Sequence, residues 1–154
     1  MESIQRLRRT IAVGAALSFL LLPAAALAEL ATWDQARVTQ TAEEFAAAMK
    51  DLRKEMQAAP PMTDPTRQRA LYVALDDIRI MTNTATLLAN KLKAGEGREE
   101  TFAAWRRLDL LRRDFEESAR KAMIEDAIME KILTAGELLI RLTPYYKVEE
   151  GATG

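Results

Sequence analysis

The sequence predicts an all-α protein, an up-down-up-down antiparallel four-helix bundle that follows a cleaved N-terminal signal peptide. Three observations support this fold class. The first 28 residues have the three-part pattern of a secretory signal. In the remainder, apolar residues recur at steps of three and four, in segments separated by Pro, Gly or a change of phase. Finally, 49% of the 154 residues are hydrophobic and 29% are charged, which allows one domain with its own core.

The N-terminal segment resembles a signal peptide in each of its parts. Several arginines precede an apolar run from 11 to 28, and the run ends in the small residues Ala26 and Ala28. A retained membrane anchor is the alternative, but Pro23 and the small-residue site favour cleavage before Glu29. We therefore predict that 1–28 is removed, that the mature chain is periplasmic or secreted, and that it does not associate with the membrane after cleavage.

Four helices are predicted at about 33–58, 64–94, 98–122 and 126–143, with a C-terminal tail at 144–154. The bundle thus occupies 29–143. Pro60 and Pro61 end the first helix, Gly95 ends the second and Pro144 ends the fourth. Each helix has an apolar stripe that is expected to face the core. The stripes are Val38, Ala42, Phe45, Met49, Leu52 and Met56; Leu71, Ala74, Leu75, Ile78, Met81, Ala85, Leu88 and Leu92; Trp105, Leu108, Leu111, Phe115, Ala119 and Ala122; and Ile128, Ile132, Ala135, Leu139 and Leu142.

Capping residues mark two of the helix starts. Thr32 and Gln35 have the spacing of a capping box before the first helix. Thr63 or Asp64 can accept from the free N–H groups of the second helix, and Pro65 fits its first position. These signals place both starts within a residue or two.

The boundary at 122–127 contains no Gly or Pro. Continuing the rhythm of the third helix would bring Asp126 into the core, so we predict a tight turn here with Asp126 capping the fourth helix. One continuous bent helix is the alternative, although it would be unusually long for a globular domain.

Two rows of apolar residues lie outside the predicted core stripes. Val73, Ile80 and Leu87 recur every seven residues, nearly opposite the stripe of the second helix. On the fourth helix, a second apolar side is formed by Met129, Leu133 and Ile140. Either the core is broad, or a tail folds over these residues, or they form a contact surface for another chain. We take these six residues as the candidate partner surface.

Other conspicuous side chains have plainer interpretations. The arginines of the third helix, at 106, 107, 112, 113 and 120, are interleaved with acids, which is typical of a solvated face rather than an anion site. Tyr145 and Tyr146 are expected to pack their rings on the end of the bundle with their hydroxyls in solvent.

The composition argues against most catalytic chemistry. The chain has no Cys and no His, which removes the usual haem ligands, the Glu-x-x-His pairs of di-iron bundles and the common nucleophile and base pairs. Basic and acidic residues number 22 and 23, so no electrostatic pattern for nucleic acid is present. We predict a protein that is not an enzyme and that needs no cofactor or metal.

The predicted function is therefore an interaction. An exported helical bundle with apolar rows outside its core is expected to act by protein–protein contact, as an adaptor, a scaffold or a self-associating protein. Its partner is a different protein or a second copy in a homo-oligomer. The alternative is a carrier or sensor of a small apolar ligand held between the helices.

Overall fold

The computed structural model describes residues 30–60 and 63–147, and this part of the chain consists of four α-helices without strands. The helices are α1 (Gln35–Ala58), α2 (Pro65–Lys93), α3 (Arg98–Ala122) and α4 (Asp126–Tyr146). The prediction of an all-α, four-helix protein is confirmed. The predicted signal peptide and its cleavage residues, Ala26, Ala28 and Glu29, lie outside the described residues.

The helices pack in neighbouring pairs around one core. In the described chain, α2 packs against α1 and α3, and α4 packs against α3 and α1, whereas α2 and α4 do not pack against each other. All four helices contribute to the core, whose largest buried side chains include Phe45, Trp105 and Phe115. The predicted stripes supply it almost completely; Leu75, Leu111 and Ile128 are only partly buried at its edge.

Side-chain caps define the starts of α1 and α2. The Asp64 carboxylate accepts from the backbone N–H of Arg67 at 2.8 Å, and Pro65 occupies the first position of α2, as predicted. Asp34 caps α1 in the same way, through a 3.0 Å bond from the N–H of Arg37.

The predicted capping box at the start of α1 is wrong. The Gln35 amide instead donates to the carbonyl oxygens of Leu92 and Glu96, at 2.7 and 3.1 Å. The Leu92 carbonyl, which also accepts from the Gly95 N–H at 3.0 Å, lies at the end of α2, and Glu96 lies in the following turn. Gln35 therefore ties the start of α1 to the end of α2.

Residues in left-handed backbone form the turns on both sides of α3. Gly95 has φ +88° after α2, as expected of a glycine at a helix end. After α3, Met123 has φ 51° and ψ 51°, and its N–H bonds to Arg120 O. The predicted turn is therefore confirmed and the continuous bent helix is excluded. Asp126 is the first residue of α4 rather than its cap, which is Glu125, and no side chain caps this end.

The end of α4 lies further along the chain than predicted, because the helix passes through Pro144 to Tyr146. Proline removes one N–H and crowds the preceding turn, but so near the helix end few further bonds depend on it. The Pro144 carbonyl accepts from Ala31 N–H at 2.8 Å, and Tyr146 is anchored in the core. These contacts hold the last turn in place.

An aromatic cluster closes this end of the molecule. The Tyr146 ring stacks on Trp105 with centroids 5.0 Å apart, and Trp33 meets Tyr146 edge-on at 5.6 Å. The Tyr146 hydroxyl lies 2.8 Å from Thr101 Oγ1, and both residues are buried. The prediction that both tyrosine hydroxyls reach solvent is therefore wrong for Tyr146.

Candidate functional site

The six candidate residues form two rows that do not belong to the buried core. In the α2 row, Val73 is 48% and Leu87 50% exposed, with Ile80 half-buried between them. In the α4 row, Leu133 and Ile140 are each 46% exposed, and Met129 is half-buried. Since α2 and α4 do not pack against each other, the structure does not bring the two rows together. They are separate surfaces.

The α2 row follows the outer edge between α2 and α3. Asp77, one turn from both Val73 and Ile80, lies near Ser118 and Asp114 of α3. Partial burial raises the pKa of the Asp77 carboxyl, the nearby carboxylates of Asp114 and Asp76 raise it further, and the Ser118 hydroxyl opposes the shift.

Cations also lie along the α2 row. Arg79 pairs with Asp76 at 2.8 Å on the same helix, and Lys91 pairs with Glu96 near the end of α2. The polar border of this row is therefore mixed in sign and partly neutralised by its own ion pairs.

The α4 row follows the edge between α4 and α3. Gly136 lies between Leu133 and Ile140 on the same side of α4, and a Cβ there would be 3.4 Å from Glu116 Oε1 and 3.7 Å from Arg112 Cδ. Further along that side, Lys147 Nζ pairs with Asp109 Oδ2 at 3.1 Å. These contacts show which stripe of α3 borders the row.

That stripe of α3 carries arginines at intervals of seven, Arg106, Arg113 and Arg120, all exposed. The acids between them already have partners on this face. Glu116 bonds to Arg112 at 2.8 Å and lies 3.8 Å from Arg120, and Asp109 pairs with Lys147 of α4. Within the described residues, Arg106 and Arg113 form no ion pair. The acids Glu116 and Asp109 are thus already paired, whereas the exposed guanidinium groups of Arg106 and Arg113, beside the α4 row, are not paired in the part of the chain that the structure describes.

Several cavities open at the surface of the described residues, and two of them bear on ligand binding. A groove of about 530 Å³ lies between α1 and α4, where Lys131 pairs with Glu55 across it. A second cavity, of about 240 Å³, lies where the α1–α2 and α3–α4 connections meet, and Arg67 beside it donates to the carbonyls of Ala122 and Met123. Its apolar lining residues are Met56, Leu71, Met123, Ile124 and Ile128.

Comparison with protein-family models, with curated proteins and with solved structures found no match for this chain. Its function therefore has to be argued from its own side chains. Across 30–60 and 63–147, no three or more carboxylates converge into a potential metal site. The helices of the same ranges include none with the length and hydropathy to span a bilayer.

Proposed function

We propose that the chain is an exported, non-catalytic protein that acts by binding a protein partner or a second copy of itself. The exposed apolar rows carry this proposal. The core is closed by all four helices without them, since residues such as Leu88, Leu108 and Leu139 are almost fully buried. The rows are therefore available for a contact that is not part of folding.

The energetic argument rests on clustering. Single exposed apolar residues are common on protein surfaces and need no explanation. Full burial of one Leu, Ile or Val is worth about 1.5 to 3 kcal/mol, so completing the burial of a half-exposed row would contribute a few kcal/mol to binding. Three such residues in a row along one helix edge can therefore be buried together by a single partner.

Contacts at the helix ends support the proposed topology. The start of α1 meets the end of α2 through Gln35, and the start of α2 meets the end of α3 through Arg67. The start of α3 meets the end of α4 through Thr101 and Tyr146. These contacts support an up-down-up-down antiparallel bundle, in which each row runs along an edge between oppositely directed helices.

Export rests on the sequence of the first 28 residues. A mature chain that starts at Glu29 is expected in the periplasmic or secreted fraction. Intact mass of the protein recovered from that fraction checks this; recovery of the uncleaved chain from membranes would contradict it.

The binding role is tested by placing a charge in each row. Ile80→Asp is expected to abolish association if the partner binds the α2 row, and Leu133→Asp if it binds the α4 row. In each case an unpaired carboxylate would have to be desolvated in the contact. Light scattering gives the mass, and urea unfolding reports stability. Asn90→Asp, which adds the same charge at an exposed position of α2, is the control.

The opposite result is equally clear. If the parent chain is monomeric, has no partner, and loses substantial stability on Ile80→Asp, that residue has a structural role and the proposal fails.

Binding of a small apolar ligand is the second candidate, and the cavity of about 240 Å³ at the connecting turns favours it. Benzene, a probe that suits a cavity of this size, is expected to shift the methyl resonances of Met56 and Met123. Unchanged methyl resonances at saturating benzene would eliminate this candidate and leave the interaction proposal standing.

A further inference from the structure

We propose that the face formed by α3 and α4 is a docking site for an acidic amphipathic helix of a protein partner. This inference rests on the proposed function, and it specifies both the surface and the chemistry of the partner. The face consists of the α4 row and the arginine stripe of α3, Arg106, Arg113 and Arg120.

Direct contacts fix these two stripes side by side. Gly136, buried beside the α4 row, lies against Glu116 and Arg112 of α3. Lys147, the residue after α4, pairs with Asp109 of α3. Glu116 is three residues from Arg113 and four from Arg120, and Asp109 is three from Arg106 and four from Arg113, so all of them share one side of α3. The exposed arginines therefore border Leu133 and Ile140.

The α3 flank of the face is basic. Arg106 and Arg113 are exposed and form no ion pair within the described residues, whereas the acids beside them, Asp109, Glu116 and Glu117, are each paired. Glu130 and Glu137 border the α4 row on its opposite flank. An occupant that covers the α4 row therefore meets guanidinium groups that carboxylates can pair with.

The dimensions of the face fit a helix. From Met129 to Ile140 the α4 row extends over eleven residue steps, roughly 16 Å, or about three turns of a docked helix. An apolar strip one residue wide beside a polar strip matches the apolar and acidic sides of an amphipathic helix lying in a groove.

Neighbouring acids argue against an anionic lipid surface. Glu130 and Glu137 are exposed and lie one turn from Leu133 or Ile140, on the flank of the α4 row opposite the arginines. A bilayer broad enough to reach both the arginines and the α4 row would also press on these carboxylates. A single helix, about 10 Å across, can occupy the α3 side and leave them in water.

The α2 row is bordered by unpaired acids instead. Asp76 pairs with Arg79, whereas Asp77 and Asp114 form no ion pair within the described residues. An acidic helix is therefore expected on the α3–α4 face rather than on the α2 row.

A synthetic helix provides the test. The probe is a labelled peptide of about 18 residues with leucines along one stripe and glutamates on one flank, and the control peptide carries lysines in place of the glutamates. Fluorescence anisotropy with the full mature chain is expected to show binding of the glutamate peptide, weakened by added NaCl, and at least tenfold weaker binding of the lysine peptide.

Variants locate the site. Arg106→Glu with Arg113→Glu is expected to weaken binding of the glutamate peptide by about tenfold or more, and Ile140→Ser by about fivefold or more. Lys50→Glu on α1 and Leu87→Ser in the α2 row are expected to change it by less than about twofold. Circular dichroism confirms that each variant is folded.

Three results would overturn this inference. The first is equal binding of the two peptides, and the second is loss of binding with Leu87→Ser but not with Ile140→Ser. The third is binding to vesicles of anionic phospholipid, lost with the arginine variants, in the absence of peptide binding. The second result would leave the proposed function intact through the α2 row, whereas failure of both rows to bind anything would remove the proposed function itself.

Discussion

Met123 shows how a single residue can set a boundary. It is the one non-glycine residue of the described chain with positive φ, and its left-handed backbone turns the chain from α3 into α4. For a residue with a Cβ this conformation costs roughly 1 kcal/mol, which Arg67 helps to offset by bonding to the Ala122 and Met123 carbonyls. The exposed thioether side chain is not needed for packing.

Met123→Gly is therefore expected to raise the free energy of unfolding by about 0.5 to 1 kcal/mol, since glycine takes this backbone without strain. Met123→Ala keeps the strain and should leave stability nearly unchanged. Urea denaturation of the three chains measures this. A glycine variant less stable than the alanine variant would contradict the explanation.

Tyr146 carries a pH-dependent contribution. Thr101 Oγ1 donates to Gly97 O at 2.6 Å, so the Tyr146 hydroxyl donates to Thr101. Burial raises the pKa of Tyr146 above its ordinary 10.0, and the positive charge of Arg98 acts in the opposite direction. Above pH 10 the unfolded chain loses a proton that the folded chain retains, so stability falls as the pH rises.

Tyr146→Phe is expected to cost about 1 kcal/mol of stability at pH 7 through loss of this bond. The cost should shrink above pH 10, because phenylalanine has no proton to lose. Thermal unfolding of both proteins between pH 7 and 11 measures the difference in stability between wild type and the variant. A difference that grows at high pH would show that the Tyr146 hydroxyl is not buried and bonded to Thr101.

The caps show which residue-scale features could be predicted. Asp64 and Pro65 act on N–H groups and backbone angles within one turn, so their sequence spacing suffices. Gln35 bonds to carbonyls that are 57 and 61 residues away, and Tyr146 to a hydroxyl 45 residues away. These long-range hydrogen-bond partners depend on how the helices pack against one another. The local spacing of residues in the sequence carries no information about that packing.

At the scale of single helices, the apolar stripes were predictable because burial imposes the 3.6-residue period on the sequence. The end of α4 was not, because the Ala31 bond to Pro144 and the packing of Tyr146 are tertiary contacts that extend the helix. The arginines of α3 were predicted to form a solvated face interleaved with acids, and Arg106, Arg113 and Arg120 are exposed. Sequence spacing alone could not show that Arg112 and Lys147 pair with two of those acids.

Leu133 and Leu139 make a matched pair on one helix. Leu139 is 1% exposed, so Leu139→Ala is expected to cost about 2 to 5 kcal/mol through lost burial and a cavity. Leu133→Ala should cost less than about 1 kcal/mol, since nearly half of that side chain is already in water. Denaturant unfolding compares them; equal costs would mean that the α4 row is structural.

For the whole molecule, the side chains that hold the core together are not those proposed to bind a partner. The core closes through all four helices, with buried aromatic rings at one end and the Arg67 bonds near the other. Sequence periodicity predicted that closure and the existence of both rows. It could not show that the rows lie on helices that do not pack together, or which charges border each row, because both depend on the arrangement of the helices in space.

The most direct measurement is the amount of partner that the mature chain retains from an extract of its own host, quantified by mass spectrometry. A differently tagged second copy is included so that self-association is counted. Wild type and Tyr72→Ser, which changes an exposed aromatic residue of α2 outside both rows, are expected to retain the same partner, and Leu133→Ser with Ile140→Ser to lose most of it. Equal retention by all three proteins, or no specific partner for wild type, would contradict the account.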